Sequence, residues 1–233
     1  MSDHVTNWFE KMPKKYKAAK RADPTYPKHL IKQNSMMLVI GPTGTGKTNA
    51  VLEFLHRKNE QFFEIIIFTG SSSDEPLYQF LAGSIDRLKL IDNVAELPRI
   101  DEYKDSDSKD LEKLIIFDDS CMQDVKVLKE IQKWFMCARK LGFTCIFLSQ
   151  DYTSTPIFIR RNAHYLLLFK LADMNDVNRI LAKQAMDTDV HTLKGMLNDC
   201  TREKGNFLTI AVNEPTENKY RHNFTEILDP TEY

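Results

Sequence analysis

Short apolar runs, each closed by Gly, Ser or Asp, alternate along this chain with stretches that carry apolar residues every three or four positions. Residues 36–40 are continuously apolar and end at Gly41, the pattern of a strand buried on both faces of a parallel sheet. Residues 49–58 then read as a helix, with Val51, Leu52, Phe54 and Leu55 on its packed side. Residues 63–69 form a second strand, closed by Gly70, and a short helix follows Pro76 through Leu77, Phe80 and Leu81. The polar stretch 92–110 reads as a solvated loop or insertion, and residues 114–117 as the next strand. The strongest helix runs over 125–141, with Leu128, Ile131, Phe135, Ala138 and Leu141 on one face and Gly142 as its C-cap. Residues 144–149 and 165–169 are two more strands. Beyond Lys170 the pattern changes to helices over 174–185 and 190–200 and an alternating strand over 207–212.

Strands alternating with helices predict an α/β fold, a mainly parallel sheet flanked by helices on both faces. Three parts are expected: a basic arm or docking segment (1–34), a core (35–172), and a helical and strand extension packed on that core (173–233). The arm is set apart by Pro13, Pro24 and Pro27 and by a local excess of Lys and Arg. Over the whole chain the net charge is −1, so no global attraction to nucleic acid follows from the total. Cys121, Cys137, Cys145 and Cys200 include no Cys-x-x-Cys pair and no His at metal-ligand spacing, which favours a reducing compartment. With no signal-peptide pattern and no apolar run of about 20 residues, a soluble intracellular protein with no membrane span is expected.

The chemistry concentrates in three segments. Gly41-Pro42-Thr43-Gly44-Thr45-Gly46-Lys47-Thr48 matches G-x-x-x-x-G-K-[ST] at every fixed position, between an apolar strand and an amphipathic helix. Gly44 and Gly46 let successive N–H groups turn inward as an anion nest, and the following helix dipole adds to that field. Lys47 is placed to reach the β- and γ-phosphates of a nucleoside triphosphate, ATP above all, and the Thr48 hydroxyl to ligate Mg²⁺. Asp118 and Asp119 follow four apolar strand residues: Asp118 is the candidate metal carboxylate and Asp119 the candidate general base. Gln150 ends a third strand, where open parallel sheets bind ligands, and is the candidate partner of the γ-phosphate or the lytic water.

These segments discriminate among phosphate-loop proteins. A GTPase carries Asp-x-x-Gly after its metal strand, whereas this chain reads Asp118-Asp119-Ser120-Cys121, and no Asn-Lys-x-Asp motif or Arg-rich lid follows. An acid after the metal Asp, with the strand 63–69 between the two motifs, points to the additional-strand ATPases. A DNA translocase, a helicase or remodelling ATPase, and a small-molecule phosphotransferase are the activities left open.

The ordered set Ile40 to Thr48, Ile115 to Asp119, Ala138-Arg139-Lys140 and Leu148-Ser149-Gln150, with Ile159-Arg160-Arg161-Asn162-Ala163 before the last apolar strand, resembles the genome-packaging ATPases of large nucleocytoplasmic DNA viruses and virophages, within the FtsK and HerA group. The likeness spans about residues 35–170. It implies a homo-oligomeric ring, a pentamer or hexamer, that threads double-stranded DNA into a capsid, with capsid proteins as partners and the host cytoplasm (the viral factory) or the virion as its place. Arg139 then matches the Arg that reaches the neighbour's γ-phosphate, with Arg160 and Arg161 as competitors. Lys-rich residues 11–32 and the segment from Lys194 to Lys204 are the candidate DNA contacts. Asp119 departs from the Glu that many relatives of the wider group carry.

Overall fold

The computed structural model describes residues 6–13, 22–58, 61–69, 76–104, 107–108, 111–118, 124–184 and 188–233. Its elements in chain order are α1 (Trp8–Lys11), α2 (Tyr26–His29), β1 (Met36–Ile40), α3 (Lys47–Arg57), β2 (Glu64–Thr69), α4 (Pro76–Ser84), β3 (Leu88–Ile91), β4 (Lys113–Asp118), α5 (Val125–Cys137), β5 (Phe143–Ser149), α6 (Ile157–Asn162), β6 (Tyr165–Leu168), α7 (Met174–Gln184), α8 (Val190–Cys200), β7 (Leu208–Ala211), α9 (Thr216–Lys219), β8 (Tyr220–His222) and β9 (Glu226–Ile227).

The strands form one sheet in the order β3-β2-β4-β5-β1-β6-β7-β8-β9. From β3 to β6 every pairing is parallel, and β7, β8 and β9 are added antiparallel. Side chains alternate across the sheet and feed two apolar layers. Met36, Leu38 and Ile40 of β1 meet Ile131, Trp134 and Phe135 of α5 and Met196 and Leu197 of α8 on one face. Met37 and Val39 meet Val51 and Phe54 of α3 and Tyr78 of α4 on the other. That coverage on both faces is why the central strands read as unbroken apolar runs.

Four sequence expectations change. The strand β3 was read as part of no element: its four residues, Leu-Lys-Leu-Ile, are half exposed at the sheet edge and carry a weak signal. The polar stretch that follows contains two single 3₁₀ turns, at Val94–Glu96 and Ile100–Tyr103. The strand that separates the phosphate-loop strand β1 from the Asp118 strand β4 in the sheet is β5, not 63–69 (β2), which lies beyond β4. Finally, the chain joins the core before residue 35, because Thr25, His29 and Ile31 are buried, the last of them in the apolar layer under α3. Lys14, Lys15, Lys17, Lys20 and Arg21 of the expected basic arm lie outside the described residues.

A buried charge cluster fastens this early segment. The Lys58 ammonium, 1% exposed, pairs with Asp23 and Glu112, each at 2.8 Å. Beside it, His29 Nδ1 accepts from the Ile31 N–H at 3.0 Å, so the neutral ring carries its proton on Nε2, toward Thr25 and Asp23. Burial, with Lys58 adding to it, pushes the His29 pKa from 6.5 down to about 4. Burial alone raises Asp23, but the Lys58 and Thr25 contacts outweigh it and leave the carboxyl below its usual value. Burial raises Glu112 in spite of Lys58. A ring that protonates more readily when unfolded costs stability as pH falls through the window from 6.5 to about 4. The loss amounts to roughly 3 kcal/mol at most. Glu112 offsets part of it, since a raised carboxyl favours the folded state on the acid side. Thermal melts across this window therefore show a falling midpoint, and His29→Asn, although less stable at neutral pH, shows a shallower slope.

Candidate nucleotide site

The carboxyl ends of β4, β5 and β1 stop at one level, since Ile40 pairs with Ser149 and Phe117 with Phe147, and Asp118 follows directly. Two strand spacings separate β1 from β4, about 10 Å, enough for a phosphate and a hydrated ion between them. The loop leaving β1 is clamped from both sides: the Gly41 N–H donates to the Ser149 carbonyl at 3.1 Å, and the Phe169 N–H to that of Ile40 at 2.9 Å. It then reverses into α3 through Gly44 (φ 76°) and Gly46 (φ 108°), a left-handed backbone that side-chain-bearing residues avoid.

A cleft of about 640 Å³ opens there, lined by residues 43–49 of the loop together with Leu77, Asp118, Leu148, Ser149, Gln150, Lys204 and Gly205. Lys47, Thr48, Asp118 and Gln150, proposed from sequence on three separate segments, thus share one wall-to-wall site. The Lys47 ammonium donates to the carbonyls of Gly41 (2.6 Å) and Pro42 (3.1 Å), folded back along its own loop. Asp118 accepts at 2.7 Å from the hydroxyl of Tyr78, a fully buried residue of α4. This bond fixes one carboxylate oxygen of Asp118, a residue that lines the cleft. Asp119 lies outside the described residues.

Gln150 is exposed at the mouth, but the chain around it is tightly held. Ser149 Oγ donates to the Asp151 carbonyl at 2.7 Å, and Thr155 Oγ1 bonds both Ser149 Oγ and that carbonyl at 2.8 Å. Asp176 of α7, buried, accepts from the Tyr152 N–H at 2.9 Å and from the Thr153 hydroxyl. These bonds fix the backbone from which the Gln150 side chain projects.

Among the described residues no group of three or more His, Cys, Asp and Glu side chains is placed to hold a metal alone. Among the described residues, the Thr48 hydroxyl and the Asp118 carboxylate are oxygen donors that line this cleft. That set fits Mg²⁺, which takes one or two protein oxygens and completes its shell with phosphate and water.

Arg139 is at the other end of the sheet. It lies in the 3₁₀ turn Ala138–Leu141 just before β5, exposed, beside a second cavity lined by Lys32, His164, Tyr165 and Glu214. The length of β5, roughly 20 Å, separates it from its own chain's cleft. Arg160 stacks on the Tyr152 ring with its guanidinium 4.7 Å from the centroid, whereas Arg161 is exposed. Sequence reasoning missed Tyr78, Leu77 and Gly205, none of which belongs to a motif. Of the two ends of the candidate DNA-contact segment, Lys204 lines the cleft and Lys194 lies on α8.

An Asp-bearing strand, a Gln-bearing strand inserted beside the phosphate-loop strand, and this cleft define an additional-strand P-loop NTPase. The chain belongs to the Poxvirus A32 protein family, which it matches over residues 25–216. No curated protein sequence matches it significantly. In structure it is similar to the genome-packaging NTPase B204 of Sulfolobus turreted icosahedral virus 2 in complex with ATP-gammaS (TM-score 0.58, 16% identity, covering 84% of this chain and 98% of that one). B204 of Sulfolobus turreted icosahedral virus, a DNA-packaging ATPase, is also similar (TM-score 0.56, 15% identity, 78% and 95% covered). So are ATPases 2 and 3 of EssC from Geobacillus thermodenitrificans (TM-score 0.57, 12% identity, 84% of this chain and 40% of that one). At these identities the structural likenesses establish the fold.

The loop's glycines are not equivalent. A Cβ on Gly41 would stand 2.6 Å from Phe169 Cβ and 2.7 Å from Thr45 Oγ1, whereas one on Gly44 would meet nothing within 4 Å. Gly41→Ala is therefore expected to destabilise the fold by ~1–3 kcal/mol through overpacking. Gly44→Ala carries only the left-handed backbone cost of ~1–2 kcal/mol. Denaturant melts of the two variants read the difference, and nucleotide affinity falls in both.

Proposed function

We propose that this chain is an ATPase whose hydrolysis drives double-stranded DNA into a viral capsid. The observation that carries the reading is the convergence of the phosphate loop, Asp118 and Gln150 on one cleft in a chain of the Poxvirus A32 family. Lys47 leaves the Gly41 and Pro42 carbonyls for the β- and γ-phosphates, while the loop amides hold the β-phosphate in their nest. Thr48 and Asp118 are the residues that would hold Mg²⁺, which would neutralise charge developing on the phosphate tail. The Tyr78 hydroxyl bonded to Asp118 would orient that carboxylate toward the metal position. Gln150 orients the attacking water against the γ-phosphate, and Asp119 takes its proton.

The working form is a homo-oligomeric ring, a pentamer or hexamer, docked on capsid protein in the viral factory. In it, Arg139 of one copy meets the γ-phosphate of the next. Exposure of Arg139 away from its own cleft supports this, and Arg160 is already committed to Tyr152. DNA is gripped through phosphates by basic side chains facing the pore, without sequence preference and with steep salt dependence. Among the described residues no helix is long and apolar enough to cross a membrane.

Hydrolysis measured with and without long duplex DNA tests the motor. Duplex is expected to raise turnover severalfold at low salt, with mass in solution showing a ring. A monomer that ignores duplex but transfers phosphate to a small acceptor, or one stimulated by single strands alone, defeats the reading. Arg139→Ala and Asp119→Ala are each expected to be inactive, with losses of ~10³-fold or more. Mixed together they regain turnover at interfaces that unite an intact Asp119 with an intact Arg139. No recovery on mixing sinks the action of Arg139 across subunits.

A further inference from the structure

The segment between α8 and β7 folds against the phosphate loop. A Cβ built on Gly46 would stand 3.1 Å from the Gly205 Cα, so the two backbones are in direct contact at the point where the loop enters α3. The turn at residues 203–206 closes with the Asn206 N–H donating to the Glu203 carbonyl, and Gly205 (φ 96°) makes its reversal. Behind it, Asn223 is held left-handed (φ 53°). Its side-chain carbonyl accepts from the Phe207 N–H at 3.1 Å, and its amide donates to Asn206 Oδ1 at 3.2 Å. Phe207 in turn packs on Phe169, 5.2 Å between ring centroids, and Phe169 is the residue under Gly41. The turn and the phosphate loop therefore stand on one aromatic floor and keep a fixed relation.

Lys204, exposed on this braced turn, lines the cleft. Its neighbour Arg202 points elsewhere, to Asp199 on α8 at 2.7 Å. The sheet order decides which part of the nucleotide Lys204 faces. Asp118 and Gln150, on β4 and β5, flank β1 on one side, the side of the metal and the γ-phosphate. Lys204 arrives from β7, across β6, on the other side. A triphosphate laid over the loop with its γ-end toward Asp118 and Gln150 has its α-phosphate end toward Lys204.

We propose that Lys204 is a nucleotide-binding residue that grips the α- and β-phosphate end of ATP from within the same chain, as a counterpart to Lys47 at the γ-end. The inference rests on the cleft being the ATP site. An ammonium set among backbone amides strengthens binding of any nucleotide carrying those two phosphates, and it contributes to substrate and transition state alike. Its signature is a change in KM and Kd with kcat preserved.

The test is equilibrium binding of ATP and of ADP to the full chain without DNA, with steady-state kinetics beside it. Lys204→Ala is expected to weaken both nucleotides about tenfold, the loss of one charge-assisted contact. KM rises in parallel, kcat is preserved, and Lys204→Arg restores most of the affinity. Arg202→Ala binds both nucleotides as the wild type does. Unchanged affinity in Lys204→Ala, an equal loss in Arg202→Ala, or a loss for ATP but not ADP overturns the assignment. So does a loss of duplex binding with nucleotide affinity intact. If the wild-type chain itself binds no ATP, the reading of the cleft fails first, and that result is distinct from an unaltered Lys204→Ala.

Discussion

A single backbone segment, held in a conformation that only glycine takes readily, is what the surrounding structure serves. The reversal at Gly44 and Gly46 turns peptide N–H groups inward, and that arrangement has no stability of its own. It persists because neighbours hold its ends: Gly41 against β5, Ile40 against the start of the loop after β6, and Gly46 against Gly205. Beneath it Phe169, Phe207 and Phe224 pack in sequence, with ring centroids 5.2 and 5.1 Å apart, and Phe224 meets Phe54 of α3 at 6.2 Å. The floor thus joins the helix that begins at the phosphate loop to the strands added at the far end of the chain. Without β7 and β8 the loop loses half its support.

That dependence explains why the boundaries drawn from sequence were less useful than the elements. Period and length located β1, β2, β4, β5, β6 and β7, and the helices α3, α7 and α8, to within a residue or two, because each buries a face or both faces; the helix expected over 125–141 instead ends at Cys137 and tightens into the 3₁₀ turn Ala138–Leu141. The segment before residue 35 carries a different signal. Thr25, His29 and Lys58 are polar and carry no apolar period, yet they are buried: Thr25 and His29 pair locally around Asp23, and Lys58 ties that group to Glu112 far along the chain. Sequence pattern registers burial by hydrophobicity and is blind to burial by pairing.

The site divides along the same line. Lys47, Thr48, Asp118 and Gln150 were legible because each belongs to a local pattern whose chemistry demands that spacing, and the parallel register then levels their strand ends. Tyr78 and Lys204 carry no such pattern. Tyr78 sits in a short helix whose apolar neighbours give no reason to single out its hydroxyl, and it becomes meaningful only when β2 is paired beside β4 and sets it over Asp118. Lys204 reads as one more surface lysine until the antiparallel addition of β7 brings its turn round to the loop.

The same sheet also keeps two kinds of chemistry apart. In a parallel sheet every strand ends at the ligand edge and begins at the opposite one, so residues just before a strand and just after it are separated by the whole strand length. Gln150 follows β5 and Arg139 precedes it, and roughly 20 Å of rigid, doubly paired backbone lies between them. No side-chain motion closes that distance. Any action of Arg139 on a phosphate is therefore an action on the phosphate of another copy. A subunit built this way keeps binding groups for its own nucleotide and can share a cation only by contact with a neighbour.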